Sequence, residues 1–429
     1  MSSVIISSNS SGTQILLTIK HNDSMLSFED QLQSELNAAG RLAECKQLEN
    51  LDTDGSPFFL GNVKMTSKKR KQLKVYETPY GSVEVPRYVY QNSKGGSTYS
   101  PLDHNARIVV NSTPKFAQMV SWKYAEMASP QVQKDFEQNH KRTTSRATLR
   151  DIADVVGAIA QSKEDSWTYA IPDLPEPVAT VSIGLDGAIM LYHEGYREAM
   201  CGSITLYDAA GNRMFSSYCA EAPEYGKVSF IERFTREIDK FKKRFPDATY
   251  VGVADGAPDN WIFLKPFVAE CILDFYHVSE YISEAANALY AGKTKKDKRK
   301  KWYRETLHNL KRNQGEAECL NQILQKSEPS NHYPTTIAKL EKVKTYFKNH
   351  WHQMGYAQAL ENRYPIGSGV TEAACKTLIK SRMCRSGMRW KKEGASMLLT
   401  LRALVCSTGV WDKFWAKISN YGFPLMHNY

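Results

Sequence analysis

The spacing of apolar residues changes character several times along the chain. Phe28, Leu32, Leu36, Leu42 and Leu48 recur at near-helical intervals and predict an amphipathic helix over residues 27–51. The stretch VYETPYGSVEVPRYVYQ, with β-branched and aromatic positions around Tyr80 and Gly81, predicts a hairpin instead. Three helices are expected next at short spacing, over about 114–127, 130–139 and 145–160. Pro114 and Pro130 suit first-turn positions, and Ser145 suits an N-cap.

Residues 162–178 contain IPDLPEPV and have the proline and acidic content of a linker, so a domain boundary is drawn there. Beyond it, 179–190 reads as a strand interrupted by a turn at SIGLDG. Strands over 199–207 and 213–220 flank the turn residues DAAGN, which makes an antiparallel meander. Phe230, Phe234, Ile238 and Phe241 mark one face of a helix over 226–245. A short apolar strand, 249–254, ends at DGAPDN; a helix through Trp261 and Leu264 and a strand over 271–275 follow. The order βββαβαβ predicts an α/β domain with a mixed sheet flanked by helices, the order an RNase H-like core has. About ninety residues after His277 read as helical and interrupt that core, before the loop PIGSG and a helix starting near Val370. The expected organisation is an N-terminal helical segment (1–60), a basic hairpin region (61–112), a helical, helix-turn-helix-like DNA-binding region (113–165), the core in two parts (179–280 and 361–429) and the insertion (281–360) between them.

Length and composition narrow the class. A chain of 429 residues predicts two to three domains. Its 42% hydrophobic and 24% charged residues suit a soluble globular protein, and no run approaches the ~18 apolar residues of a membrane helix. The first twenty residues lack a basic segment followed by a solid apolar stretch, so a cytoplasmic location is expected, without membrane association. The eight cysteines form no C-x-x-C pair, which suggests neither a zinc ribbon nor a disulfide framework. A net charge of +10 favours polyanionic partners without identifying one.

Basic residues recur at places a nucleic acid could use. Lys68, Lys69, Arg70 and Lys71 lead into the hairpin, as DNA-backbone contacts or as a solvated strand edge. Arg142, Arg146 and Arg150 surround the third helix of the helix-turn-helix candidate, whose alternative is a small helical connector. Lys293, Lys295 and Lys296 open a basic run in the insertion, offering phosphate contacts or a solvated helix face. Lys376, Arg382, Arg385 and Arg389 follow the last acidic candidate, with Trp390 placed either to stack on an unpaired base or to join the core.

Three acids sit where the strand order would bring them together: Asp186 at the end of the first strand, Asp255 just after the fourth, and Glu372 in the first turn of a late helix. Converging carboxylates repel unless a cation neutralises them, and oxygen ligands favour Mg²⁺ or Mn²⁺. Two such ions would serve in-line displacement at a phosphodiester. Taken singly, Asp186-Gly187 and Asp255-Gly256 are ordinary turn dipeptides, and Glu372 could merely favour the helix dipole. Asp259 competes with Asp255 for the second position, or caps the following helix.

The motifs SIGLDG, VADGAPDNW, DFYHV, PIGSGVTEAACK and RSGMRW, preceded by YETPYGSVEVPRYVY, YSPLDHNARIV and STPKFAQMVSWKYA, resemble the bacterial insertion-sequence transposases of the ISKra group, relatives of the ISL and Mutator-like DDE enzymes. The resemblance runs from about Val75 to Trp415, and the ordered set is far more specific than any one motif. It implies Asp186, Asp255 and Glu372 as the catalytic, metal-binding triad, with two Mg²⁺ or Mn²⁺ ions per site. It makes Asp274 to His277 a D-x-x-H version of the signature that follows the second acid. A competing alignment takes Asp274 as that acid; Asp255 is preferred because it lies at the mouth of its strand, whereas Asp274 lies inside an apolar run. For His277, metal ligation, DNA contact and simple packing stay open. The resemblance further implies an enzyme of at least two subunits, nucleoid-associated, that binds terminal inverted repeats and joins their cut ends to double-stranded target DNA. A stand-alone RNase H-like nuclease and a domesticated DNA-binding protein are the alternatives.

Overall fold

The computed structural model describes residues 3–9, 11–68, 70–164, 166–223 and 227–420. One compact unit comprises Met1–Ala170, Thr400–Val405 and Gly409–Tyr429; the other comprises Ile171–Leu399 and Cys406–Thr408. The division at 170/171 falls inside the proline-bearing segment. Residues 361–429, read from sequence as a single return to the core, divide between the two units.

The first unit opens on an antiparallel hairpin, β1 (Ser3–Asn9) and β2 (Gly12–Leu17), followed by α1 (Met25–Asn50). Strands β3 (Phe58–Leu60), β4 (Val63–Ser67) and β7 (Tyr90–Asn92) form one antiparallel sheet. Between them β5 (Gln72–Thr78) and β6 (Gly81–Arg87) form a separate hairpin that turns at Pro79 and Tyr80, at the predicted place. After α2 (Pro101–Asn105) come α3 (Pro114–Glu126), α4 (Ser129–His140) and α5 (Arg146–Lys163). Prolines stand in the first turns of α3 and α4, where a missing N–H costs nothing, and Ser145 Oγ accepts the Thr148 N–H at 3.0 Å to cap α5. The apolar faces of α3, α4 and α5 bury Phe116, Val120, Phe136, Leu149 and Ile152 together with Phe414 and Trp415 of the helix Val410–Asn420.

The second unit is built on a five-stranded mixed sheet. Its strands are β8 (Thr180–Tyr192), β9 (Gly195–Tyr207), β10 (Arg213–Glu221), β11 (Thr249–Ala254) and β12 (Glu270–Leu273), in spatial order β10-β9-β8-β11-β12. The first three pair antiparallel, whereas β8–β11 and β11–β12 are parallel, joined by α6 (Val228–Arg244) and α7 (Pro258–Leu264). Helix α6 buries the four residues its periodicity marked, Phe230, Phe234, Ile238 and Phe241.

The turn expected at SIGLDG does not form. Strand β8 pairs with β9 without interruption from Thr180↔Tyr207 to Tyr192↔Gly195, so Asp186 stands inside a strand and not at its end. Its flanking glycines make room for neighbours. A Cβ on Gly184 would lie 2.1 Å from Thr371 Oγ1, and one on Gly187 would lie 2.3 Å from Glu198 Oε1.

The strand expected over 271–275 stops at Leu273, and Asp274 begins α8 (Phe275–Leu289). The insertion continues through α9 (Lys296–Arg312), α10 (Glu316–Lys326), α11 (Pro334–His350) and, after a 3₁₀ turn at Trp351–Gln353, α12 (Tyr356–Glu361). Leu310, Leu320, Leu324, Val343 and Phe347 from these helices join one buried cluster with the sheet residues Val251, Val253 and Ile272. Next come α13 (Gly369–Ala374), a π-helical stretch Cys375–Lys380 and α14 (Ser381–Met383). All eight cysteines are unbonded, and among the described residues no single helix is long and apolar enough to cross a membrane.

Thr371 reaches Ser203 Oγ at 2.7 Å only because position 184 has no side chain. Gly184→Ala should therefore cost about 1–3 kcal/mol in denaturant unfolding. Removing the colliding hydroxyl as well, in Gly184→Ala/Thr371→Ala, should cost less than the two single losses added together.

Candidate active site

The pairing of β11 with β8 keeps an offset of 69 residues at each rung from Thr249↔Thr180 to Gly252↔Ile183. The same offset separates Asp186 from Asp255, and the Asp255 charge is near enough to act on the Asp186 carboxyl. Asp255 follows the last residue of β11. Its Oδ1 accepts the Ala257 N–H at 3.0 Å and the Asn260 side-chain amide at 2.9 Å, a local clamp that fixes the turn leading into α7. Asp186 Oδ1 accepts the N–H of Gly187 at 2.7 Å. Burial pushes the Asp186 carboxyl above the usual carboxylate range, against the pull of the Gly187 N–H and the Cys375 thiol; the Asp255 charge adds to the rise, and Lys380 opposes it.

Glu372 lies in the first turn of α13, half-exposed, and its Oε1 accepts the Ser368 hydroxyl at 3.0 Å. His277 Nε2 is 3.9 Å from the same oxygen, and His277 Nδ1 is 3.7 Å from Glu280. The first turn of α8 thus meets the first turn of α13. Asp274 makes that junction. It is fully buried; one oxygen accepts the His277 N–H at 2.9 Å as the N-cap of α8, and the other accepts the Ser368 N–H. Both of its oxygens are committed to backbone, which leaves Asp255 as the acid with an unengaged oxygen beside Asp186. Asp259 is exposed in the first turn of α7, whose N-cap is Ala257.

No three-acid cage is assembled. Among the described residues no group of three or more His, Cys, Asp or Glu side chains is placed to hold a metal ion. Glu372 instead engages Ser368 and His277. A pair of carboxylates is still the donor set Mg²⁺ takes when substrate phosphate and water supply the remaining ligands.

The basic residues sort sharply by burial. Arg142 is buried, paired with Glu77 and stacked 3.7 Å from the Phe116 ring centroid, so it is core and not a DNA contact. Arg382 is likewise buried, under Trp390. The Trp390 indole N–H donates to the Met383 carbonyl at 2.8 Å, and its backbone N–H donates to Leu191 at 3.1 Å, which makes Trp390 a packing residue. Lys71 pairs with Asp52 at 3.1 Å, and Arg150 with Asp151 at 3.2 Å. Lys68, Arg70, Arg146, Lys293, Lys295, Lys296, Lys376, Arg385 and Arg389 are exposed. Lys69 lies outside the described residues.

Several residues at the site carry no strong mark in the sequence. Asn260 had one faint signal, its place five residues after Asp255 in DGAPDN. Cys375 follows Glu372 by one helical turn, and its thiol draws the Asp186 carboxyl down, while Cys201 is the cross-strand partner of Asp186. Ser368 supports both Glu372 and the Asp274 junction.

No protein-family model matches the chain, and no curated protein does. Among solved structures it is similar to a crystal structure of NurA with manganese, at 14% identity over 51% of this chain and 63% of that one, with a TM-score of 0.11. It is similar to a second crystal structure of NurA at 12% identity over 55% of this chain and 74% of that one, also with a TM-score of 0.11. A score that low does not amount to a common fold.

The two aspartates should respond oppositely to substitution. Asp274→Ala removes a helix cap and a buried acceptor, and should lower stability by about 2–4 kcal/mol in chemical denaturation. For Asp186 the folded carboxyl pKa exceeds the unfolded one, so its stabilising contribution is complete below the unfolded value and is lost as pH rises through the folded one. Asp186→Asn should therefore raise the metal-free melting temperature at pH 7, with the gain vanishing on acidification; a lower Tm at pH 7 would contradict the burial of that charge.

Proposed function

We propose that the second unit is an RNase H-like catalytic core and that the protein is a DDE transposase of the insertion-sequence type. The observation that carries this reading is that Asp186 in β8 and Asp255, just past the end of the parallel neighbour β11, are near enough for one charge to act on the other, with the Glu372 helix packed against β8 through Thr371 and Gly184. Two further features support it. The strand order, three antiparallel followed by two parallel, is the one an RNase H-like core requires, and the helices between Asp255 and Glu372 occupy the place of the insertion.

Asp186 and Asp255 would hold one Mg²⁺ or Mn²⁺ ion; a second would need Glu372 to exchange its contact with Ser368 for the metal. Such an ion, when bound, activates a water or 3′-hydroxyl and neutralises charge at a scissile phosphate. The chain's own part is orientation. Asn260 and the Ala257 N–H fix the Asp255 carboxylate. Asp274 ties the loop before α13 to α8, which sets the position of Glu372. The exposed Lys376, Arg385 and Arg389 follow Glu372 in sequence and supply phosphate contacts, while Arg146 and Arg70 in the first unit serve DNA-end recognition. A subunit pair, each holding one DNA end, follows from the need to process two ends together.

The test uses the full-length protein and DNA carrying the two flanks of its gene, searched for inverted repeats. Cleavage should require Mg²⁺ or Mn²⁺, and Asp186→Asn or Asp255→Asn should reduce it by at least about 10²-fold. Pre-cut 3′-hydroxyl ends should be joined to a plasmid target. Cleavage without joining would make the protein a stand-alone nuclease, and tight end binding without metal-dependent cleavage would make it a DNA-binding protein.

A further inference from the structure

The insertion reaches the Asp255 turn through the end of α11. An ideal Cβ on Gly256 would lie 2.8 Å from Tyr346 Cε2, 3.3 Å from His350 Nε2 and 3.4 Å from the Tyr346 hydroxyl. Only glycine lets these two side chains come so close. Tyr346 and His350 are four residues apart on one helix, so they share a face, and their rings lie 4.9 Å apart. Tyr346 is in turn stacked on Tyr281 of α8, with centroids 3.7 Å apart and planes 9° from parallel.

The chemistry of the two rings differs. The Tyr346 hydroxyl is buried and has no hydrogen-bond partner among the described residues. Burial, followed by Tyr281 and the charges of Asp255 and Asp274, pushes its pKa well above the usual tyrosine range, so it adds no negative charge beside the carboxylates. His350 is half-exposed, and its Nδ1 lies 3.3 Å from Oε1 of Gln353, which is buried. In the tautomer that donates from Nδ1 to that oxygen, Nε2 is an acceptor facing the Gly256 turn.

We propose that His350 is a further active-site residue, contributed by the insertion, whose Nε2 accepts a hydrogen bond from the attacking water or hydroxyl held at the Asp255 side of the site. Tyr346 packs against it and sets its angle. The proposal rests on the nucleolytic reading given above. It gives the insertion a part in the chemistry, not only in DNA contact.

Two variants of the full-length chain and one spectroscopic readout test it. His350→Leu removes the acceptor; His350→Gln keeps an oxygen near the Nε2 position. In Mg²⁺-dependent cleavage, His350→Leu should lower kcat by about 10- to 100-fold with KM for DNA unchanged within about twofold. His350→Gln should stay within about threefold of the unsubstituted protein, and both variants should melt at its temperature. Full kcat in His350→Leu, or equal loss in both variants together with a lower Tm, overturns the proposal. Independently of cleavage, the histidine ring signal missing from His350→Gln should shift when a short duplex and Ca²⁺ are added to ¹³C-histidine-labelled protein. A signal that does not move overturns the proposal even in a protein that cleaves. A signal that moves in a protein that cleaves nothing keeps His350 in the binding face and overturns the nucleolytic reading alone.

Discussion

Asp186 and Asp255 belong to segments far apart in sequence, yet the pairing of β8 with β11 brings them near enough for the charge of one to act on the other. Burying a carboxylate and bringing a like charge near it both carry a cost, and the Asp186 carboxyl is raised first by burial and then by the Asp255 charge. The sheet sustains it because the backbone pairing is cooperative and buried: Val181, Ile183, Val251 and Val253 are almost wholly removed from water. Register thus converts apolar burial into a fixed separation of charges. Any slip by one residue would turn one of the two aspartates to the other face.

Close approach is the second condition, and glycine supplies it twice. At Gly184 the absent side chain admits Thr371 and with it the helix that carries Glu372. At Gly256 it admits two rings from the insertion. The loop before α13 is held from below by Asp274, whose two oxygens join the start of α8 to Ser368. Glu372 is therefore positioned by a chain of contacts that begins at the end of β12. The insertion belongs to the same apolar cluster as the sheet, so it braces the site as well as interrupting the chain.

What could be read in the sequence was local. The phenylalanine face of α6, the hairpin at Tyr80, the prolines in the first turns of α3 and α4 and the cap at Ser145 all follow from periodicities and residue types within a few positions. So does the succession of strands and helices along the chain, βββαβαβ. The errors lay where a distant partner decides the outcome. Gly184 and Gly187 look like turn residues until Thr371 and Glu198 are seen to occupy their side-chain space. Arg142 and Arg382 look like surface cations until Glu77, Phe116 and Trp390 bury them. Asp274 looks embedded in an apolar strand, but the free N–H of His277 and that of Ser368, ninety-four residues on, make it a cap. Tyr346 and His350 carry no motif at all.

The contact between Ser203 and Thr371 spans 168 residues of chain. During synthesis the strands bearing Asp186 and Asp255 are complete well before the segment bearing Glu372 exists, a gap of 117 residues that takes roughly 6–23 s at ordinary translation rates. Until then no Thr371 exists to fill the space beside Gly184. The order of synthesis thereby acts as a timer: the Ser203–Thr371 contact, and with it the docking of the helix that carries Glu372, is made only once most of the polypeptide has been made.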